Sequence, residues 1–203
     1  EKLYTAKNYQ KILETFRSHF PHYIYLSPFY GKEIVSSPTQ FIKKVYVPRD
    51  CLQELLQQKE KDQLQKLAVE LATLLSEESN VSMEEFGIRG SIALNMHKTR
   101  SDIDLVIYGA ENFRAVEKAV SKLNDEGTIS YIFSTKLDRF RKFRARYKNT
   151  LFMLSAVRKS EEIDHSYGKH QYHPVRPVTF QCLVTDDTEA IFKPAIYKIT
   201  DYQ

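Results

Sequence analysis

Two acids one residue apart, Asp102 and Asp104, follow a glycine and a serine, Gly90 and Ser91, after a gap of about ten residues. That pattern can do chemistry on phosphates. Alternate side chains of an extended strand point to opposite faces, so Asp102 and Asp104 share one face with Cα atoms about 6–7 Å apart. Ile103, Leu105 and Ile107 share the other face and suit a buried sheet surface. Neighbouring carboxylates repel when ionised unless a cation neutralises them. Magnesium is typically held by one or two carboxylates completed by substrate phosphates. Upstream, Gly90 permits a tight turn and close approach of another group. Ser91 stands where a short helix over 92–96 is expected to begin, as its N-cap or in its first turn; free N–H groups and a hydroxyl there favour an anion. Lys98 and Arg100, between the two halves, are candidate contacts to triphosphate oxygens. Either half alone reads equally well as a chance turn or as solvated acids; their joint occurrence points to a phosphate-and-metal site.

Ile88-Arg89-Gly90-Ser91 followed by Asp102-Ile103-Asp104-Leu105 resembles the signature of the polymerase-β-like nucleotidyltransferase superfamily. The longer string, Ser101 through Gly109, is most similar to small archaeal-type predicted nucleotidyltransferases, and the tail from Val184 to Tyr197 resembles the tail of that group. The resemblance implies transfer of a nucleoside monophosphate from an NTP, dependent on Mg²⁺ (or Mn²⁺), with pyrophosphate leaving. Carried onto this chain, Gly90 and Ser91 contact the triphosphate, and Asp102 and Asp104 are the catalytic and metal-binding residues. The acceptor is left open between RNA, a protein (as in small antitoxin-like relatives) and a small molecule.

Members of that superfamily commonly add a third carboxylate from a later strand. The next strand-like segments, 128–133 and 150–157, contain no Asp or Glu. Asp187, Asp186 and Asp164 are the substitutes the sequence offers, although Asp186-Asp187 reads more simply as a polar turn. Without a third acid, a catalytically inactive nucleotide- or RNA-binding module on the same fold is the alternative function.

Between 136 and 148 stand seven basic residues and one acid, a local +6 in a chain whose net charge is +4. Read as a helix over 136–147, the segment anchors on Leu137, Phe140, Phe143 and Tyr147. Arg141, Arg144 and Arg146 then fan outward as candidate nucleic-acid or phosphate contacts. A solvated amphipathic helix is the plain alternative. His165, His170 and His173 lie close in sequence but match no strong zinc spacing, and a loop with incidental histidines is expected. Arg89 is expected to pair with Glu84 or Glu85.

The elements that must position these residues follow from hydrophobic period. Leu64, Leu67, Leu71, Leu74 and Leu75 predict a helix over 61–77, and Phe113, Val116, Ala119, Val120 and Leu123 another over 112–123. Helices are also expected over 9–20 and 49–57. Strands are expected over 101–108, 128–133, 150–157, 178–184 and 190–199. The fold class is therefore α+β (mixed α/β): a mixed sheet flanked by helices, with extra N- and C-terminal β elements. The expected organisation is an N-terminal extension over 1–60, a nucleotidyltransferase core over 61–160 and a β-rich segment over 161–203. No apolar run approaches the roughly 20 residues that cross a bilayer. Two cysteines in unlike contexts, Cys51 and Cys182, suit free buried thiols in the cytoplasm, and no membrane partner is expected.

Overall fold

The leucine period becomes helix α3, Gln63–Ser79, in the structure, a computed structural model describing residues 8–134, 138, 139, 142, 144–163, 169, 171, 173, 175–201 and 203. A reciprocal capping box starts α3: Asp62 Oδ1 accepts from Gln65 N at 2.9 Å, and Gln65 Oε1 accepts from Asp62 N at 3.0 Å. Asn80, in the left-handed region at φ 55°, ends it. Leu64, Ala68, Leu71, Ala72 and Leu75 form its buried stripe.

The chain divides into two units, 46–163 with 180–203, and 1–45 with 164–179. The smaller contains α1 (Tyr9–His19) and a hairpin of β1 (Ile24–Ser27) and β2 (Lys32–Val35). Arg17 pairs with Glu33, and Phe16 contacts Phe20 and Tyr23.

The larger unit adds α2 (Pro48–Gln57), β3 (Phe86–Arg89), α4 (Gly90–Ala93), β4 (Ile103–Tyr108), α5 (Ala110–Asp125), β5 (Ile129–Tyr131), β6 (Arg144–Tyr147) and β7 (Thr150–Val157). Its five-stranded sheet has the order β3-β4-β7-β6-β5. Only β4 and β7 run parallel, so the sheet is mixed and the chain is α+β. One face buries Phe86, Ile88, Ile103, Leu105, Ile107, Ala145, Tyr147, Phe152 and Leu154 in a core shared with α3 and α5. A second hairpin, β8 (Leu183–Asp186) with β9 (Lys198–Thr200), closes the unit. Between its strands Ile191 and Phe192 are buried in the same core, with Arg158 stacked 4.2 Å from the Phe192 ring and paired to Glu189. Among the described residues no helix is long and apolar enough to cross a membrane.

Residues 144–147 are a strand, which corrects the last four residues of the helix expected over 136–147. Ala145 and Tyr147 face the core while Arg144 and Arg146 face away, a period of two. Lys148 and Asn149, at φ 44° and 65°, make a two-residue hairpin turn with the torsion sign that matches strand twist. The Tyr147 hydroxyl donates to Glu70 of α3 at 2.7 Å and fixes this strand to the helical layer.

Gly87 shows how α2 seats on the sheet. A Cβ there would stand 2.7 Å from the Pro48 carbonyl carbon and 2.9 Å from Arg49 N, backbone atoms that cannot swing aside. Gly87→Ala is therefore expected to destabilise by about 1–3 kcal/mol through overpacking. Thermal unfolding should show it as a fall in Tm of about 2–4 °C per kcal/mol for a chain of this size. An unchanged Tm would mean that α2 shifts at no cost.

Candidate active site

Register assembles the site. Arg89 pairs with Asp104 across β3 and β4; Asp104 pairs with Met153 across β4 and β7; Met153 pairs with Arg144 across β7 and β6. Directly paired residues present their side chains on the same face. The row Arg89, Asp104, Met153, Arg144 therefore lies opposite the apolar core. Asp102 stands one residue before β4 and two before Asp104. The neighbouring pair Leu151 and Arg146 follows on the same face.

Gly90 ends β3 and opens α4 at φ +69°, a backbone region that favours glycine. A Cβ at Gly90 would overlap the Asp104 carboxylate, meeting Oδ2 well inside contact distance and Cγ at 3.3 Å. The glycine turn and the acidic strand, eleven or more residues apart in the chain, are thus in direct contact. Ser91 sits half-buried in the single turn of α4, and its carbonyl accepts from Met96 N at 2.8 Å.

Asp104 is half-buried, and its carboxyl is pushed above the ordinary carboxylate range. Burial is the largest cause and the charge of Asp102 the second; Arg89 and Lys193 pull the other way. Burial and a neighbouring like charge thus both disfavour the ionised form of Asp104. Oxygen donors and a tight glycine approach fit a hard divalent cation such as Mg²⁺. Among the described residues, no group of three or more Asp, Glu, His or Cys side chains is placed to hold a metal.

Two of the suggested third acids have basic partners of their own. Asp186 is paired with Lys198 at 2.8 Å and accepts from Thr188, contacts that hold its carboxyl well below the usual range. Asp187 approaches Arg114 at 3.7 Å. Asp164, Arg141, His165 and His170 fall outside the described residues. On β7 the neighbour of Asp104 is Met153, which carries no acid.

Lys98 and Arg100 occupy an exposed turn in which Lys98 N donates to Ser101 Oγ at 3.0 Å and Ser101 N to Lys98 O at 2.9 Å. His97 anchors that loop: its Nε2 lies 2.6 Å from Asp62 Oδ2, and its side chain is only 7% exposed. The carboxylate that caps α3 thereby also holds the loop entering β4. Glu85 pairs with Arg49 at 3.2 Å and Lys159 at 2.9 Å, which leaves Arg89 to the Asp104 row rather than to the glutamates. Cys51 is buried and Cys182 half-buried.

Arg89, Lys193, His97 and Met153 were not singled out as site residues in the sequence. Arg89 belongs to the quoted glycine-serine string, and cross-strand register gives it its place. Lys193 follows the buried Ile191-Phe192 anchor, and no spacing rule links it to residue 104.

An uncharacterized protein of Methanocaldococcus jannaschii, MJ1086, is 25% identical to this chain over 150 residues. The match covers 64% of this chain and 44% of that relative, so the chain spans less than half of its length. No family model matches the sequence, and no solved structure matches it. The relative is thus an uncharacterized archaeal protein and brings no activity to this chain.

Proposed function

We propose that this chain is a divalent-metal-dependent nucleotidyltransferase, moving a nucleoside monophosphate from an NTP to a hydroxyl acceptor with release of pyrophosphate. One observation carries the reading: Gly90 backs directly onto Asp104, whose carboxyl feels the charge of Asp102. The glycine turn meets the acid that, with Asp102, would hold a cation.

A divalent cation held by Asp102 and Asp104 would supply charge stabilisation for the attacking and leaving oxygens. The chain's own groups do the rest by positioning, as in phosphoryl transfer generally. Gly90 lets the turn close onto Asp104, Ser91 offers a hydroxyl donor, and Lys98 and Arg100 present cations from the adjoining turn. Arg89 and Lys193 flank Asp104 and balance charge near the phosphates. The acceptor oxygen bonds to the α-phosphorus as the α–β phosphoanhydride breaks. Pyrophosphate keeps that electron pair, and the hydroxyl proton passes to solvent.

Met153 in the row next to Asp104 favours the second reading, a nucleotide- or RNA-binding module without transfer. Incubation with each labelled NTP, Mg²⁺ or Mn²⁺, and total cellular RNA or protein separates the two. Label that becomes macromolecular only with the metal is the expected result. Binding indifferent to metal, with no incorporation from any NTP, would favour the module.

A further inference from the structure

β6 is the element whose structure departs most from its sequence reading, and its two arginines have a position that a helix would not have provided. Arg144 shares a cross-strand row with Asp104, and Arg146 shares the next with Leu151. With neighbouring strands about 4.8 Å apart, the arginine backbone lies about 10 Å from that of the acids, two strands away on the same face. Arg17, Arg49, Arg114 and Arg158 each have a carboxylate partner. Among the described residues Arg144 and Arg146 have none, and the buried Arg144 Nε lacks any hydrogen-bond partner. Arg146 Nη1 donates only to the Asn149 carbonyl, at 3.3 Å. Between acids and arginines lie Leu151 and Met153, half-exposed and apolar.

Direction gives this arrangement meaning. The Gly90 turn approaches Asp104 from the β3 side of β4, whereas β7 and β6 lie on the other side. In-line displacement requires the entering and leaving oxygens to stand on opposite sides of the phosphorus. With pyrophosphate toward Gly90, the acceptor comes in over β7 and β6. We infer that the acceptor is a nucleic-acid strand, its terminal nucleotide lying across Leu151 and Met153 and its preceding phosphodiesters held by Arg144 and Arg146. Arginine suits this task, since its planar fork matches phosphate and stays charged. Two arginines about 6–7 Å apart along one strand face present a pair of cations to successive backbone phosphates.

The orientation rests on the transferase reading, but the binding itself is measured without transfer. The probe is a short fluorescein-labelled oligoadenylate, followed by anisotropy with the full chain in EDTA, without NTP, over a series of salt concentrations. For Arg144→Ala/Arg146→Ala, affinity is expected to fall at least about tenfold, and the slope of log K against log salt to shrink by about 1.4, two phosphates' worth for a single strand. Mg-ATP affinity should stay within about twofold, because the triphosphate lies on the other side of the acids. Arg146→Ala alone, at an exposed position, should give about half the slope change and guards against misfolding of the double variant. An unchanged slope in both variants overturns the inference. So does a loss confined to Mg-ATP, which would assign the arginines to the NTP. Asp102→Asn/Asp104→Asn should bind the oligonucleotide as the wild type does, so failed transfer and a failed acceptor site give different results.

Discussion

Asp104→Asn is expected to abolish metal-dependent nucleotide incorporation while making the metal-free protein more stable. The loss of rate should reach at least about a thousandfold, the scale seen when charge stabilisation is removed from a transition state. The gain in stability follows from the electrostatics of the folded site. Burial and the Asp102 charge raise the Asp104 pKa above its unfolded value. The stabilising contribution of such a group is complete below the unfolded pKa and is lost as pH rises through the folded one. At neutral pH the ionised, half-buried carboxylate is thus a cost, which asparagine removes without changing shape. Solvent screening at this half-exposed position keeps the rise in Tm small. Mg²⁺ should stabilise the wild type more at pH 8 than at pH 5, because protons compete for the same oxygens at low pH. Thermal melts of wild type and variant, with and without Mg²⁺ at both pH values, measure all of this. A variant less stable than wild type in the absence of metal would show that the carboxylate supports the fold instead.

Gly90→Ala separates geometry from charge. The strain of a Cβ at φ +69° costs on the order of 1 kcal/mol, so the protein should still fold, with a Tm a few degrees lower. Activity should fall much further, by about a hundredfold or more, the scale at which small misplacements near reacting atoms are felt. The reason is local: the added methyl overlaps the Asp104 carboxylate, which must turn away from its place beside the Gly90 turn. A variant that keeps full incorporation would mean that Asp104 does its work in another rotamer. Gly31 serves as a control, since it also has positive φ, at 59°, but a Cβ there meets nothing within 4 Å. Gly31→Ala should show the stability cost without the loss of rate.

The contrast between β4 and β6 shows how much of this protein was legible in one dimension. β4 puts Ile103, Leu105 and Ile107 on the core face and Asp104, the buried Val106 and Tyr108 on the other, and both flanks carry turn residues. The period of two was therefore visible, and the shared face of the acids with it. β6 is four residues long, and Phe140, Phe143 and Tyr147 around it fall by chance at helical spacing. Its turn, Lys148-Asn149, lacks the glycine that usually marks a two-residue hairpin. Hairpin pairing with β7 across that turn outweighed the helical spacing.

Residue type and spacing alone, read along the chain, brought Gly90, Ser91, Asp102 and Asp104 together as a candidate site and set the mixed α+β class. Those are local properties, because backbone torsion and side-chain alternation depend on near neighbours. Three-dimensional packing determined the charges around the acids. It put Met153 beside Asp104, turned Arg144 and Arg146 toward the same face, placed Lys193 near Asp104 beyond a buried Phe192, and engaged Asp186 with Lys198 instead. Such neighbours are chosen by strand order and register, which depend on the whole core finding its packing, and no pattern within a short window encodes them.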